Sequence, residues 1–150
     1  MSGVRAADAE DLAPLLGMME EFNRVERIEF RREATGPALA RLIDDGALGR
    51  VLVLTDASQR DLAGYAVLSW GYDLEVGGRD AFLTEIFVRP EHRRRGWARL
   101  LLDELARLAR QEGAGAIHLG VYPDNEPALQ LYKSAGFQKI PRDFYSKRLV

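Results

Sequence analysis

The sequence predicts a mixed α/β domain. Two helices precede an antiparallel meander of strands, and one β-α-β crossover follows it. Three observations lead there. Apolar residues recur at helical spacing before residue 45 and again after residue 96. Between residues 51 and 88 they come instead in β-rich runs separated by turn residues. The length of 150 residues, with 47% apolar and 29% charged, suits a single domain spanning 1–150 that can bury a proper core.

Each element has its own signal. Val4 to Ala6 reads as a short edge strand. Asp8 is placed to cap the helix that follows, with Asp11 in its first turn. Leu12, Leu15, Leu16, Met19 and Phe22 form its apolar stripe. A second helix is expected from about Thr35, with Pro37 in its first turn, Leu39, Leu42 and Ile43 inward, and Gly46 past its end. Val51 to Leu54 and Ala63 to Trp70 read as a hairpin around a turn over 56–61. Gly77 and Gly78 make the next turn, and Ala81 to Val88 a third strand that Pro90 stops. A helix over 96–111 turns Ala98, Leu101, Leu105 and Leu108 inward and ends at Gly113. Ile117 to Val121 reads as a strand, 125–135 as a short helix closed by Gly136, and Phe144 to Val150 as a last strand.

Composition excludes several classes of function. Cysteine is absent, so there is no disulfide framework, thiolate metal site or cysteine nucleophile. A reducing cytoplasm is the expected location. No apolar stretch approaches a membrane span, and the first ten residues lack the apolar core of a signal peptide. The motifs GxGxxG, GxxxxGK[ST], HExxH and GxSxG do not occur. His92 and His118 are the two histidines; the first reads as a loop residue, the second as a packed or surface strand residue. The net charge of −2 hides an asymmetry. Residues 1–88 carry 9 basic and 16 acidic residues, a balance of −7, whereas residues 89–150 carry 12 and 7, a balance of +5.

The most informative stretch runs from Glu85 through Leu100. A strand ends at Val88 and a short loop enters a helix at Gly96. A helix N-terminus offers free backbone N–H groups and a partial positive charge, which suit phosphate. Gly96 and Ala98 leave the backbone approachable, and Arg93, Arg94, Arg95 and Arg99 add formal charge. By itself this reads equally as a phosphate cradle or as a solvated basic loop opening an amphipathic helix.

Arg93-x-x-Gly96-x-Ala98 resembles the pyrophosphate loop of the GCN5-related N-acetyltransferases, the GNAT superfamily. The preceding Val88-x-Pro90-Glu91 is also similar to that family. So is the downstream segment Asn125-x-x-Ala128-x-x-Leu131-Tyr132-x-x-x-Gly136-Phe137, in the expected order and at the expected separation. The departures are Arg94, where members often carry Gly, Trp97, where a smaller aliphatic is usual, and Ala98 in place of Gly.

The resemblance implies a GNAT-like fold with two parallel strands that splay apart around acetyl-CoA. Here those strands would be 81–88 and 117–121. Pantetheine would bond the exposed backbone of Ile86 and Val88 like an extra strand, and the pyrophosphate would lie on the loop from Arg93 to Ala98; Phe87 and Arg99 complete the expected cofactor-binding set. Asn125 and Ala128 match cofactor-contacting positions, although Asn125 also suits a helix cap. The implied activity is acetyl-CoA-dependent N-acetyl transfer, direct to a primary amine of a small molecule or peptide, needing neither a protein nucleophile nor a metal. Tyr132 matches the tyrosine near the sulfur that serves the leaving thiolate; read from its helix alone it packs on the core. Glu85, a lone acid in an apolar strand, is the candidate base; an ion pair with Arg79 or another arginine, or a strand face that is simply wet, is the structural reading of the same residue. Met19, Glu20, Phe22, Asn23, Tyr72, Asp73 and Phe144 are candidates for the acceptor site, where Glu20, Glu21, Asp73 and Glu75 would suit a cation.

Two other functions compete. One is an acyl-CoA-binding regulatory domain of the same fold without turnover. The other is a nucleic-acid-binding module using Arg93, Arg94, Arg95, Arg99, Arg107 and Arg110, against which stands a pI near 5.7. No membrane partner is expected, and a homodimer is compatible with the chain.

Overall fold

The computed structural model describes residues 3–58 and 61–150. Of the turn expected over 56–61, Gln59 and Arg60 lie outside the described residues. There are two compact units, Met1–Gly120 and Val121–Val150.

The first unit is built on a five-stranded sheet in the order β1 (Gly3–Ala6), β2 (Gly49–Thr55), β3 (Leu62–Asp73), β4 (Gly78–Val88) and β5 (Ile117–Leu119). Neighbours from β1 to β4 are antiparallel. β5 returns parallel to β4 through α3 (Trp97–Gln111), which is the expected meander and crossover. Helices α1 (Leu12–Val25) and α2 (Arg32–Asp44) connect β1 to β2. Among the described residues no helix is long and apolar enough to cross a membrane.

Alternation along the strands divides the core into two layers. Val51, Val53, Tyr65, Val67 and Phe87 form one buried cluster with Leu15, Leu16, Met18 and Met19 of α1 and Leu39 of α2. The other parity, including Leu52, Leu54, Ala66 and Leu68, is equally buried. α3 lies against β1 to β4 and buries Leu101, Leu102, Leu105 and Ala109. Its buried stripe therefore includes Leu102 and Ala109, while the expected Ala98 and Leu108 are only half-buried.

α2 begins at Arg32, earlier than expected, so Pro37 sits inside the helix rather than in its first turn. Proline there leaves the Glu33 carbonyl without its i+4 donor. Burial of Leu39, with Leu42 and Ile43 packed beside it, offsets that loss.

Asp8 caps a short 3₁₀ turn, Ala9–Asp11, that leads into α1, and Asp11 completes a reciprocal capping box. Asp11 does more than the cap requires. Its Oδ2 and Oδ1 accept from Arg5 Nη1 and Nη2 at 2.7 and 2.9 Å, and Oδ2 accepts from the Asp8 N–H at 2.8 Å. The Arg5 bonds hold its carboxyl below the usual carboxylate range. Asp11→Ala is expected to cost about 1–3 kcal/mol in chemical denaturation at neutral pH. A depressed native pKa gives stability that is present above the unfolded value and lost as pH falls through the native one. The gap between wild type and variant should therefore close in strong acid.

The second unit holds α4 (Glu126–Ser134), N-capped by Asn125 and followed by Gly136 at φ +92°. The strand expected over Phe144 to Val150 is not formed. Phe144, Tyr145, Leu149 and Val150 are all exposed. A β-rich composition makes a strand only where a neighbour completes the ladder and a face is covered. Neither is present for this segment among the described residues.

Candidate active site

The cradle begins where β4 ends. Arg89 donates its N–H to the Ala63 carbonyl at 2.8 Å, and Pro90–His92 makes one 3₁₀ turn. Arg93 is extended, Arg94 is left-handed at φ +63°, and Gly96 caps α3 at φ +75°. Two left-handed residues so close together turn the chain sharply and aim the start of α3 outward. Among the described residues no side chain caps α3, so its first N–H groups remain available to a ligand. A Cβ at Gly96 would meet nothing within 4 Å; glycine is required there by the dihedral, and the space above it is open. The conformation of Arg94 also explains why glycine suits that position in similar loops.

The four arginines are not four free charges. Arg93 Nε donates to the Val88 carbonyl at 2.9 Å, with its guanidinium over the Phe87 ring. Arg95 lies 3.4 Å from Asp56 and over Trp97. Arg99 pairs with Asp103 at 3.0 Å. Arg94 is exposed. His92, expected as a loop residue, is 1% exposed and stacks on Trp97 at 5.5 Å. Its Nδ1 lies 3.3 Å from Asp56 Oδ2 without the alignment of a hydrogen bond. Asp56 Oδ1 accepts from the Ser58 N–H and hydroxyl, which hold its carboxyl low. The turn after β2 thus braces the cradle through Asp56, a residue the sequence reading did not single out.

Beside the cradle the sheet opens. β5 pairs with β4 only at Ala81, Phe82 and Leu83. Beyond Leu83 no strand among the described residues pairs with that edge of β4, to which Ile86 and Val88 turn their backbone groups; those of Phe87 turn to β3, as the Arg89 N–H to Ala63 bond two residues on requires. An extended ligand can add to such an edge as a strand does. The Val88 carbonyl already accepts from Arg93.

Glu85 is placed by a bulge. Leu83 and Glu85 would share a face in a regular strand, yet they pair with consecutive residues Leu68 and Val67. Thr84 is the extra residue, and its hydroxyl donates to the Val67 carbonyl. Glu85 thereby joins the α1 face, where Tyr65 Oη donates to its Oε1 at 2.7 Å. Burial pushes the Glu85 carboxyl above the usual range, while the Tyr65 bond pulls it down. Arg79 is not its partner; it pairs with Glu112 at 3.8 Å. The sequence reading missed Tyr65, although a phenol in the apolar run Leu62–Leu68 signals a buried partner.

The acceptor candidates are dispersed. Met19 is 3% exposed and belongs to the core, so it offers no surface to a ligand. Phe22 packs against that core, edge-on to Tyr65 and Phe87. Asn23 donates to the Met19 carbonyl at 2.6 Å, and Glu20 pairs with Arg32 at 3.6 Å. Tyr72 is exposed at the end of β3. The register puts Asp73, Asp80 and His118 on the same sheet face as Glu85. His118 Nε2 lies 3.2 Å from Asp80 and 3.8 Å from Asp73.

In the second unit Asn125 accepts from the Ala128 N–H at 3.3 Å, so its cap role is present. Tyr132 is half-buried on α4 and edge-on to Phe137 at 5.8 Å. Phe144 is exposed.

A family model described as the acetyltransferase (GNAT) family matches residues 15–137. The chain belongs to the GNAT acetyltransferase family. Within it, this GNAT chain is 35% identical over 99 residues to the streptothricin acetyltransferase of Streptomyces lavendulae, covering 63% of this chain and 50% of that one. It is 24% identical over 147 residues to the thialysine N-epsilon-acetyltransferase of Mus musculus, covering 91% and 84%. It spans half or less of the length of several curated relatives that it matches. A solved aminoglycoside N-acetyltransferase in complex with CoA superposes with a TM-score of 0.84 at 18% identity, covering 100% of this chain and 96% of that one. That likeness shows the GNAT fold.

Proposed function

We propose that residues 1–150 act as one catalytic domain that transfers an acetyl group from acetyl-CoA to a primary amine of a small molecule or peptide. The carrying observation is the uncapped, left-handed entry to α3 beside the open edge of β4, in a chain of the GNAT family. The pyrophosphate lies on the N–H groups from Arg94 to Arg99, with Arg93 and Arg94 adding charge. Pantetheine follows Ile86 to Val88. Asn125 and Ala128 are cofactor contacts by the second family signature.

The transfer is direct. The neutral amine nitrogen attacks the thioester carbon, a C–N bond forms, and collapse of the tetrahedral intermediate breaks the C–S bond. Glu85 receives the amine proton, directly or through water. Tyr132 gives its phenolic proton to the leaving thiolate. This chemistry needs no metal. We place the reaction in the cytoplasm on the cysteine-free composition.

A cationic amine is the acceptor class we favour. The balance of −7 over residues 1–88 and the presence of Asp73 and Asp80 on the Glu85 face support it. So do the relatives named for streptothricin and thialysine. The test is a panel of cationic, neutral and anionic amines assayed for CoA-thiol release at low and high salt. Cationic amines should show the highest kcat/KM, falling as salt rises. Preference for anionic amines would overturn the acceptor class. CoA binding with no thiol release from any amine would establish the non-catalytic reading instead.

A further inference from the structure

We propose that Tyr65 is a positioning residue for Glu85, fixing one carboxylate oxygen so that the other is presented to the amine proton. The inference rests on the reading of Glu85 as the base. Tyr65 is fully buried, and its ring is wedged by Phe22 and Phe87 at centroid distances of 6.5 and 6.1 Å. The phenol therefore has one place to point, and it donates to Glu85 Oε1 at 2.7 Å. Among the described residues no other hydrogen bond reaches the Glu85 carboxylate, which leaves Oε2 for a proton. Burial and the neighbouring carboxylate push the phenol up, so it stays a donor at any working pH.

The bulge at Thr84 is what makes the pair. It rotates Glu85 onto the face that carries Tyr65 while leaving Leu83 on the other. A carboxylate moved into an apolar layer without a donor would hold its proton and could not accept another. Tyr65 counters that burial. Among the described residues no charged group of the surrounding elements bonds the Glu85 carboxylate. Glu21 pairs with Arg89, Glu20 with Arg32, and Arg93 bonds the Val88 carbonyl, while Asp73 and Asp80 lie 3.8 and 3.2 Å from His118 Nε2 without an aligned hydrogen bond. Tyr65 is thus the partner through which the protein sets where Glu85 points and when it ionises.

The test is Tyr65→Phe, which keeps the ring and removes the donor. Two readouts are followed: titration of the Glu85 carboxyl by ¹³C NMR, assigned by its loss in Glu85→Gln, and the acidic limb of kcat/KM against pH. The carboxyl should titrate at higher pH and the acidic limb should follow it. The rate at a fixed pH on that limb should fall roughly tenfold, with KM for acetyl-CoA unchanged. 3-Fluorotyrosine at position 65 is a stronger donor of nearly the same size. It should move both readouts the opposite way, and it serves if the phenylalanine variant does not fold. An unmoved Glu85 titration in both variants overturns the proposal. If Glu85→Gln retains the wild-type acidic limb, the base assignment fails; the NMR titration then still decides whether Tyr65 governs Glu85.

Discussion

Arg93→Ala combined with Gly96→Glu is expected to weaken CoA binding by tenfold or more, measured by calorimetry on the folded variant. Gly96 is the N-cap of α3 at φ +75°, above which the space is open. A glutamate there puts a carboxylate at the N–H groups and partial positive charge that would otherwise face the pyrophosphate. Arg93→Ala removes a cation from the same loop, together with its bond to the Val88 carbonyl at the head of the open strand edge. Charge-assisted hydrogen bonds of about 1.5–3 kcal/mol each make tenfold a lower bound. Gly96→Ala separates strain from charge. Its Cβ touches nothing within 4 Å, so its cost of about 1–2 kcal/mol falls on stability through the left-handed dihedral. Unchanged CoA affinity in the double variant would remove the cradle assignment.

Tyr132→Phe is expected to lower kcat by about 10²–10⁴-fold while leaving the affinity for CoA and the melting temperature near wild type. The substitution keeps the ring that stands edge-on to Phe137 in the second unit, so packing is largely retained. What it deletes is the phenolic proton assigned to the leaving thiolate. A loss smaller than about threefold with the best amine would reduce Tyr132 to a packing residue of α4.

The conformation of the loop from Pro90 to Gly96 was legible because it is written locally. Pro90 cannot continue the β4 ladder, Gly96 takes a positive φ, and an amphipathic run begins at Trp97. Each of these acts within a few residues of itself. The meander and crossover were legible for a related reason: the apolar period changes near residues 51 and 96, and connections of that length leave few topologies. Boundaries were less secure where local and tertiary terms compete. Pro37 argued for a later helix start, and the buried side of α2 outweighed it. The apolar tail from Phe144 argued for a strand, but composition supplies no ladder partner.

The sequence by itself determined the order of elements as far as α4, the left-handed glycine that opens α3, and an acid at position 85 in an otherwise apolar stretch of the last meander strand. Tertiary structure decided which groups those residues meet. Glu85 and Tyr65 are twenty positions apart and touch because β3 and β4 pair in one register and Thr84 bulges out of it. His92 became a buried plate on Trp97, 3.3 Å from Asp56 in the turn after β2. Met19 passed from acceptor candidate to core because its helix turns that side onto the sheet. Dihedral preferences and hydrophobic period act between near neighbours, so they can be read from the chain. Register, bulge placement and cross-sheet partners are settled by the joint packing of distant segments, and no single stretch of residues encodes them.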